Sequence, residues 1–201
     1  MDIKEGVKKL HYNSPVVLTY AIVCVVLLLI NYLTAGFMNR MFLVSYGHPN
    51  LLDPLTYLRA FLHVLGHADW SHLFNNMILM MLVGPIVEER YGSGNLTFMI
   101  LVNAVVTAVI NGLFFNTGII GASGVVFMMI ILSAFTGMQK GKVPVTLIIV
   151  ALMYLGREIS TAITSPNDGI SQMGHIVGGV VGLIFGIIFY KMKFGGKKYS
   201  T

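Results

Sequence analysis

The chain has 201 residues, 56% of them apolar and 10% charged, with a formal charge of +5. A soluble domain carries about 25% charged residues, so a water-solvated globule is excluded and the length is better counted in membrane spans of about 20 apolar residues each. The basic residues cluster at segment ends, which the positive-inside rule explains better than a nucleic-acid partner, and none is expected.

In chain order, residues 1–13 are a polar leader, expected in the cytoplasm and too short to be a domain. The first span runs over 14–36. Its basic flank and apolar run could mimic a signal peptide, but Val16 to Met38 exceeds the usual apolar length, so an uncleaved helix is expected. Cys24, within it, is the only cysteine, which excludes an intramolecular disulfide and a thiolate metal cluster. The connection 37–70 mixes Met41, Phe42, Leu43, Leu51, Leu52 and Tyr57 with polar residues and prolines, as expected of a segment lying in the membrane interface. Nothing local assigns it more than amphipathic packing.

The second span is expected over 71–87, followed by the charged turn Glu88–Gly94, and the third over 95–116. The fourth, 119–138, ends in the basic turn Lys140–Pro144; the fifth is 144–164. Ser165-Pro166-Asn167-Asp168-Gly169 is a strong turn signal before the sixth span, 171–190, and a basic tail, 192–201. With the N-terminus in the cytoplasm, ten basic residues lie inside (Lys4, Lys8, Lys9, Arg90, Lys140, Lys142, Lys191, Lys193, Lys197, Lys198) and Arg40, Arg59 and Arg157 outside. The expected fold is therefore an all-α polytopic bundle of six transmembrane helices over 14–191, with an interfacial first loop and both termini cytoplasmic.

Three polar residues stand out within the spans. Glu88 lies 16 residues after His72, Lys140 lies 17 after Ser123, and Lys191 lies 16 after His175. At 1.5 Å per helical residue each is roughly 24–26 Å above the inner boundary, one common level in a hydrocarbon core about 30 Å thick. Gly174, Gly178, Gly182 and Gly186 pave one face of the sixth span, and the fourth answers with Gly121 and Gly124 around the serine. Glycines so spaced let helices approach closely in lipid, which would bring Ser123 Oγ within reach of His175. A glycine zipper serving packing alone is the plainer alternative. His72 and Asn76 share a helical face and offer N–H donors suited to a developing oxyanion beside the backbone N–H of Ser123. Interhelical hydrogen bonding explains them equally well. For Asn75 bonding or packing is the expected role, and for Arg157 and Glu158 a structural or interfacial one.

Together these residues resemble the rhomboid family of intramembrane serine proteases. The resemblance rests on Gly121-Ala122-Ser123-Gly124, on Gly174-His175 followed by Gly178 and Gly182, and on His72-x3-Asn76 with His67 upstream. Arg59 looks like the first-loop arginine, although Leu58 stands where a tryptophan is usual, and Glu88–Gly94 looks like the charged end of the second helix. Phe127 takes the place of an aromatic that stacks on the histidine, without a tyrosine hydroxyl. The resemblance covers about 14–191. It implies a Ser123–His175 dyad without a third carboxylate, an acyl-enzyme, substrates that are single-span or other transmembrane proteins, no cofactor and no metal. It also implies access past the fifth helix and the loop 165–172. The six-helix length suggests a bacterial plasma membrane with the site opening to the extracytoplasmic side. Oligomeric state is not legible.

The rivals are weaker. His63 and His67 are four apart, but Val64 stands where a zincin needs Glu, leaving at most adventitious binding with His72. No pair of mid-helix aspartates serves an aspartyl protease, since Asp53, Asp69 and Asp168 fall in connections, and Val125 breaks the soluble hydrolase elbow. A non-catalytic rhomboid-fold protein that binds transmembrane segments is the main alternative, and such proteins typically lack the serine or the histidine. A transporter is a third, without the paired broken helices it would need.

Overall fold

The computed structural model describes residues 12–140, 142–164 and 169–194. Most of the expected leader and tail, residues 165–168 and the side chains of Arg157 and Glu158 lie outside the described residues. Seven α-helices form among the described residues: α1 (Pro15–Leu33), α2 (Pro54–Leu62), α3 (Trp70–Tyr91), α4 (Ser93–Phe114), α5 (Ser123–Phe135), α6 (Val145–Thr164) and α7 (Gly169–Phe194). Local chemistry sets their ends. Prolines open α1 and α2, and the Asp53 and Asp69 carboxylates cap α2 and α3 by accepting from Leu55 N–H and His72 N–H. Gly92, at φ +82°, makes the sharp break between α3 and α4.

Among the described residues, Pro15–Leu33, Trp70–Tyr91, Ser93–Phe114 and Gln172–Met192 are long and apolar enough to cross a membrane. Lipid-facing positions are correspondingly apolar and exposed, as at Ile22, Ile78, Leu82, Phe98 and Ile184. The first span is part of the bundle: Val17, Tyr20, Cys24 and Leu28 recur at helical spacing and are all buried.

The fourth span departs from expectation. A helix over 119–138 was expected, but α5 has 13 residues, about 20 Å against a hydrocarbon core of about 30 Å. The chain before it is extended because it hydrogen-bonds to the first loop, and Gly121 sits at φ +131°, outside helical space. The depth count for Ser123 therefore overstated a helical rise, since only 12 steps separate it from Phe135 at the helix end. The counts from His72 and His175 run through continuous helix and stand. α5 is the central element, with Val125 to Met129, Ile131, Leu132 and Phe135 all buried. α6 lies against its end through a small cluster of Leu147 with Ile131 and Phe135.

Glu88, near the end of α3, is 4% exposed. Its carboxylate accepts from the first-turn N–H groups of Val16 and Val17 (3.0 Å each) and from Ser93 Oγ (2.7 Å). A carboxylate at a helix N-terminus meets both orphan donors and the positive end of the dipole. Hydrogen bonds to charged groups contribute about 1.5–3 kcal/mol, so Glu88→Ala is expected to cost about 3 kcal/mol. Thermal unfolding of the detergent-solubilised chain checks this, and an unshifted midpoint would show that α1 is held by apolar packing alone.

Candidate active site

The backbone before Ser123 is fixed by the first loop. Ser45 and Ile119 exchange backbone hydrogen bonds (3.0 and 2.9 Å), Gly47 N–H donates to Thr117 O (3.1 Å), and Gly121 N–H donates to His63 O (2.9 Å). The buried Asn111 amide donates to the carbonyls of Ser45 (3.2 Å) and Thr117 (3.0 Å). Arg59 ties the loop to itself, donating to Met41 O (2.9 Å) and pairing with Asp53 (3.2 Å). A loop read from sequence as amphipathic packing is thus the clamp that delivers the serine. The signal was present only as scattered Gly, Asn and Ser residues whose partners across the loop lie 58 to 74 positions away.

Ser123 opens α5 and no side chain caps that end. The first N–H groups of a helix lack intrahelical partners and carry its positive dipole end, so backbone donors gather around the hydroxyl. α7 packs against this face of α5. A methyl on Gly178 would collide with the Gly124 carbonyl, one on Gly182 would lie 2.7 Å from Met128 O, and one on Gly186 would meet the Phe135 ring. Gly174 differs: nothing lies within 4 Å of where its side chain would be. Three glycines form the packing seam and the fourth leaves space beside the serine. Gly121 also differs from expectation, since it faces His72, not α7: a methyl there would lie 2.6 Å from His72 Nε2.

The His175 ring packs against Phe127, ring centroids 4.3 Å apart and planes tilted by 43°. Phe127 lies four residues after Ser123, hence on the same helical face. The imidazole is therefore over the face of α5 that carries the hydroxyl.

A cavity of about 270 Å³ opens here, lined by His72, Ser123, Gly124, Gly174, Asn103 and Thr107 among others. His72 and Ser123 are thereby brought together. Asn76 is buried beside them, but one of its amide N–H bonds is engaged by His72 O (3.0 Å) and it does not line the cavity. Asn75 is exposed on α3, so the bonding or packing role expected of it is not what the fold uses. Sequence reasoning missed Asn103 and Thr107. Both are buried on α4, and neither the Asn103 amide nor Thr107 Oγ1 reaches a protein partner. Buried polar groups are nearly always hydrogen-bonded, so this wall is suited to water or a polar substrate group. Their spacing of four in an apolar helix was the available signal.

Two loop histidines frame the site. His63 is 2% exposed and its Nε2–H donates to Ala104 O (3.0 Å), while His67 is fully buried, edge-on to His72 at 5.0 Å. Burial holds both imidazoles neutral, with pKa values lowered to about 4. The unfolded chain, titrating near 6.5, binds more protons between those values, so stability falls as pH drops from about 6.5 to 4. A melting series over that range is expected to show this decline, largely relieved in a His63→Gln, His67→Gln double variant; an equal decline in that variant would assign the acid sensitivity elsewhere.

An all-helical, membrane-embedded bundle with a serine at the uncapped start of a short central helix defines a class of polytopic membrane protein. A family profile for the rhomboid domain matches residues 54–192. The chain belongs to the rhomboid family. It is also similar to Rhomboid-like protease 1 of Toxoplasma gondii, 27% identical over 165 residues that cover 74% of this chain and 53% of that one. The chain thus spans about half the length of that relative.

Proposed function

We propose that this protein is an intramembrane serine endopeptidase that cleaves transmembrane segments of other membrane proteins through a Ser123–His175 dyad. The observation that carries the reading is the seam of Gly124 against Gly178, with the His175 ring packed against Phe127 one turn from Ser123. His175 takes the hydroxyl proton as Ser123 Oγ attacks the scissile carbonyl. The C–N bond then breaks, the amine leaves with that proton, and the acyl-enzyme is hydrolysed by water activated by the same imidazole. Negative charge on the former carbonyl oxygen is met by the Ser123 N–H and the helix start, with His72 at the cavity edge.

Water for the second half reaction fits the polar wall of Asn103 and Thr107. In this reading six spans cross the membrane with both termini cytoplasmic, and the site opens to the extracytoplasmic face of a bacterial plasma membrane. α6 and the connection after it form the substrate gate. An engineered disulfide locking α3 to α6 is then expected to stop cleavage of an embedded substrate while sparing a small soluble one.

Asn76 holds one donor in its own helix, so its part in oxyanion binding rests on the other. Asn76→Ala is expected to slow cleavage by at most about 10²–10³-fold, in turnover more than in KM; unchanged turnover would assign Asn76 to packing alone. Incubating the purified chain with a panel of single-span proteins and mapping the products by mass spectrometry tests the function itself. Defined cuts within or beside a membrane segment are expected, whereas binding without cleavage would favour a non-catalytic role.

A further inference from the structure

The far end of the bundle from Ser123 carries a second cavity, about 450 Å³, between the ends of α3, α5 and α7. Its floor is apolar, made by Phe135, Met138, Phe189 and Met192, and Arg90 stands at its rim. The walls are fixed. Tyr91 O–H donates to Leu132 O (3.2 Å) and its ring meets Phe189 edge-on at 5.3 Å. Gly186 has no side chain, which lets the Phe135 ring lie against α7 and close the floor.

Charge at the mouth is one-sided. Arg90 is exposed, Lys140 follows the end of α5, and Lys191 lies within α7 near its end. Among the described residues of α3's last turns, Glu88 is buried and committed to the start of α1, and Glu89 is the exposed carboxylate beside Arg90. A cleft with a greasy floor and a cationic rim, at the end of a membrane bundle, matches an amphiphile whose head is anionic. A soluble anion would leave the floor bare, and a zwitterionic lipid would bring no net charge to the rim.

We propose that this cleft binds an anionic phospholipid, its phosphate at Arg90 and an acyl chain along Phe135, Met138, Phe189 and Met192. The site touches both α5 and α7, so an occupant also braces the helix pair that carries Ser123 and His175.

The test uses the full chain with Met192→Trp in vesicles containing dibrominated phosphatidylglycerol or dibrominated phosphatidylcholine. Trp70, at the opposite end of α3, is the internal reference. Each cation near a membrane surface favours an anionic lipid by roughly fivefold. Quenching of the added tryptophan is expected at roughly fivefold lower mole fraction of the anionic lipid, with Trp70 showing no such preference. Arg90→Gln is expected to remove the preference, and Arg40→Gln, which loses the same charge at the other end, to keep it. Equal quenching by both lipids, or equal loss in the two charge variants, would overturn a specific site. Relief of quenching by millimolar inorganic phosphate would point to a free-anion site and overturn the lipid assignment.

Discussion

Ser123→Ala is expected to lower cleavage of a membrane-embedded substrate by at least about 10⁴-fold, leaving no measurable product. The reason is chemical. Covalent catalysis replaces one difficult displacement by two easier ones, and no other hydroxyl among the described residues combines an uncapped helix start with an imidazole on the same face. Thr107 lines the cavity from α4, but it lies mid-helix and does not open one. The variant should fold, since Ser123 is only partly buried and opens α5 without capping it. A melting midpoint equal to the parent's, with product absent, is the expected pair of results. Retained proteolysis in the purified variant would remove the nucleophile assignment.

The second large effect is structural. Gly178→Val is expected to drive α5 and α7 apart, because even its Cβ would collide with the Gly124 main chain. Overpacking costs about 1–3 kcal/mol where side chains can yield, and here rigid main chain leaves less room to yield. A displacement of about 1 Å at a catalytic pair costs on the order of 10²-fold in rate. Both a lowered melting midpoint and a hundredfold loss of turnover are therefore expected. Gly174→Ala is the control for stability: its Cβ meets nothing within 4 Å, and alanine favours a helix over glycine by about 1 kcal/mol. Its midpoint should be unchanged or raised. Matching losses in the two variants would mean that the glycines act through helix propensity and not through the seam.

These two expectations show which parts of the molecule were open to reading from sequence. The spans were legible wherever an apolar run coincides with a continuous helix, as in α1, α3, α4 and α7. The facing of α5 and α7 was legible because Gly178, Gly182 and Gly186 repeat at helical spacing and have one geometric use in lipid. His72 was legible for a similar reason, as a polar side chain at depth.

What failed did so where apolarity is not helix. Residues 119–121 read as part of a span, yet Ser45 and His63 hold Ile119 and Gly121 by backbone hydrogen bonds, and Gly121 occupies a backbone region that no helix allows. That pairing is set by residues far apart in the chain, so no local period could announce it. The clamp role of the first loop was hidden for the same reason. Asn103 and Thr107 were passed over because two polar residues in a long apolar helix look tolerable until the neighbouring serine is placed beside them. Gly174 was read as packing because spacing alone does not reveal which glycine faces a helix and which faces a cavity.

The account turns on Ser123 being activated by His175. Labelling of the detergent-solubilised chain with a fluorophosphonate probe, followed by mass-spectrometric mapping of the modified residue, tests that most directly. The expected result is a single adduct on Ser123 that disappears in His175→Ala. An adduct on another residue, or on Ser123 at an undiminished rate in His175→Ala, would contradict it.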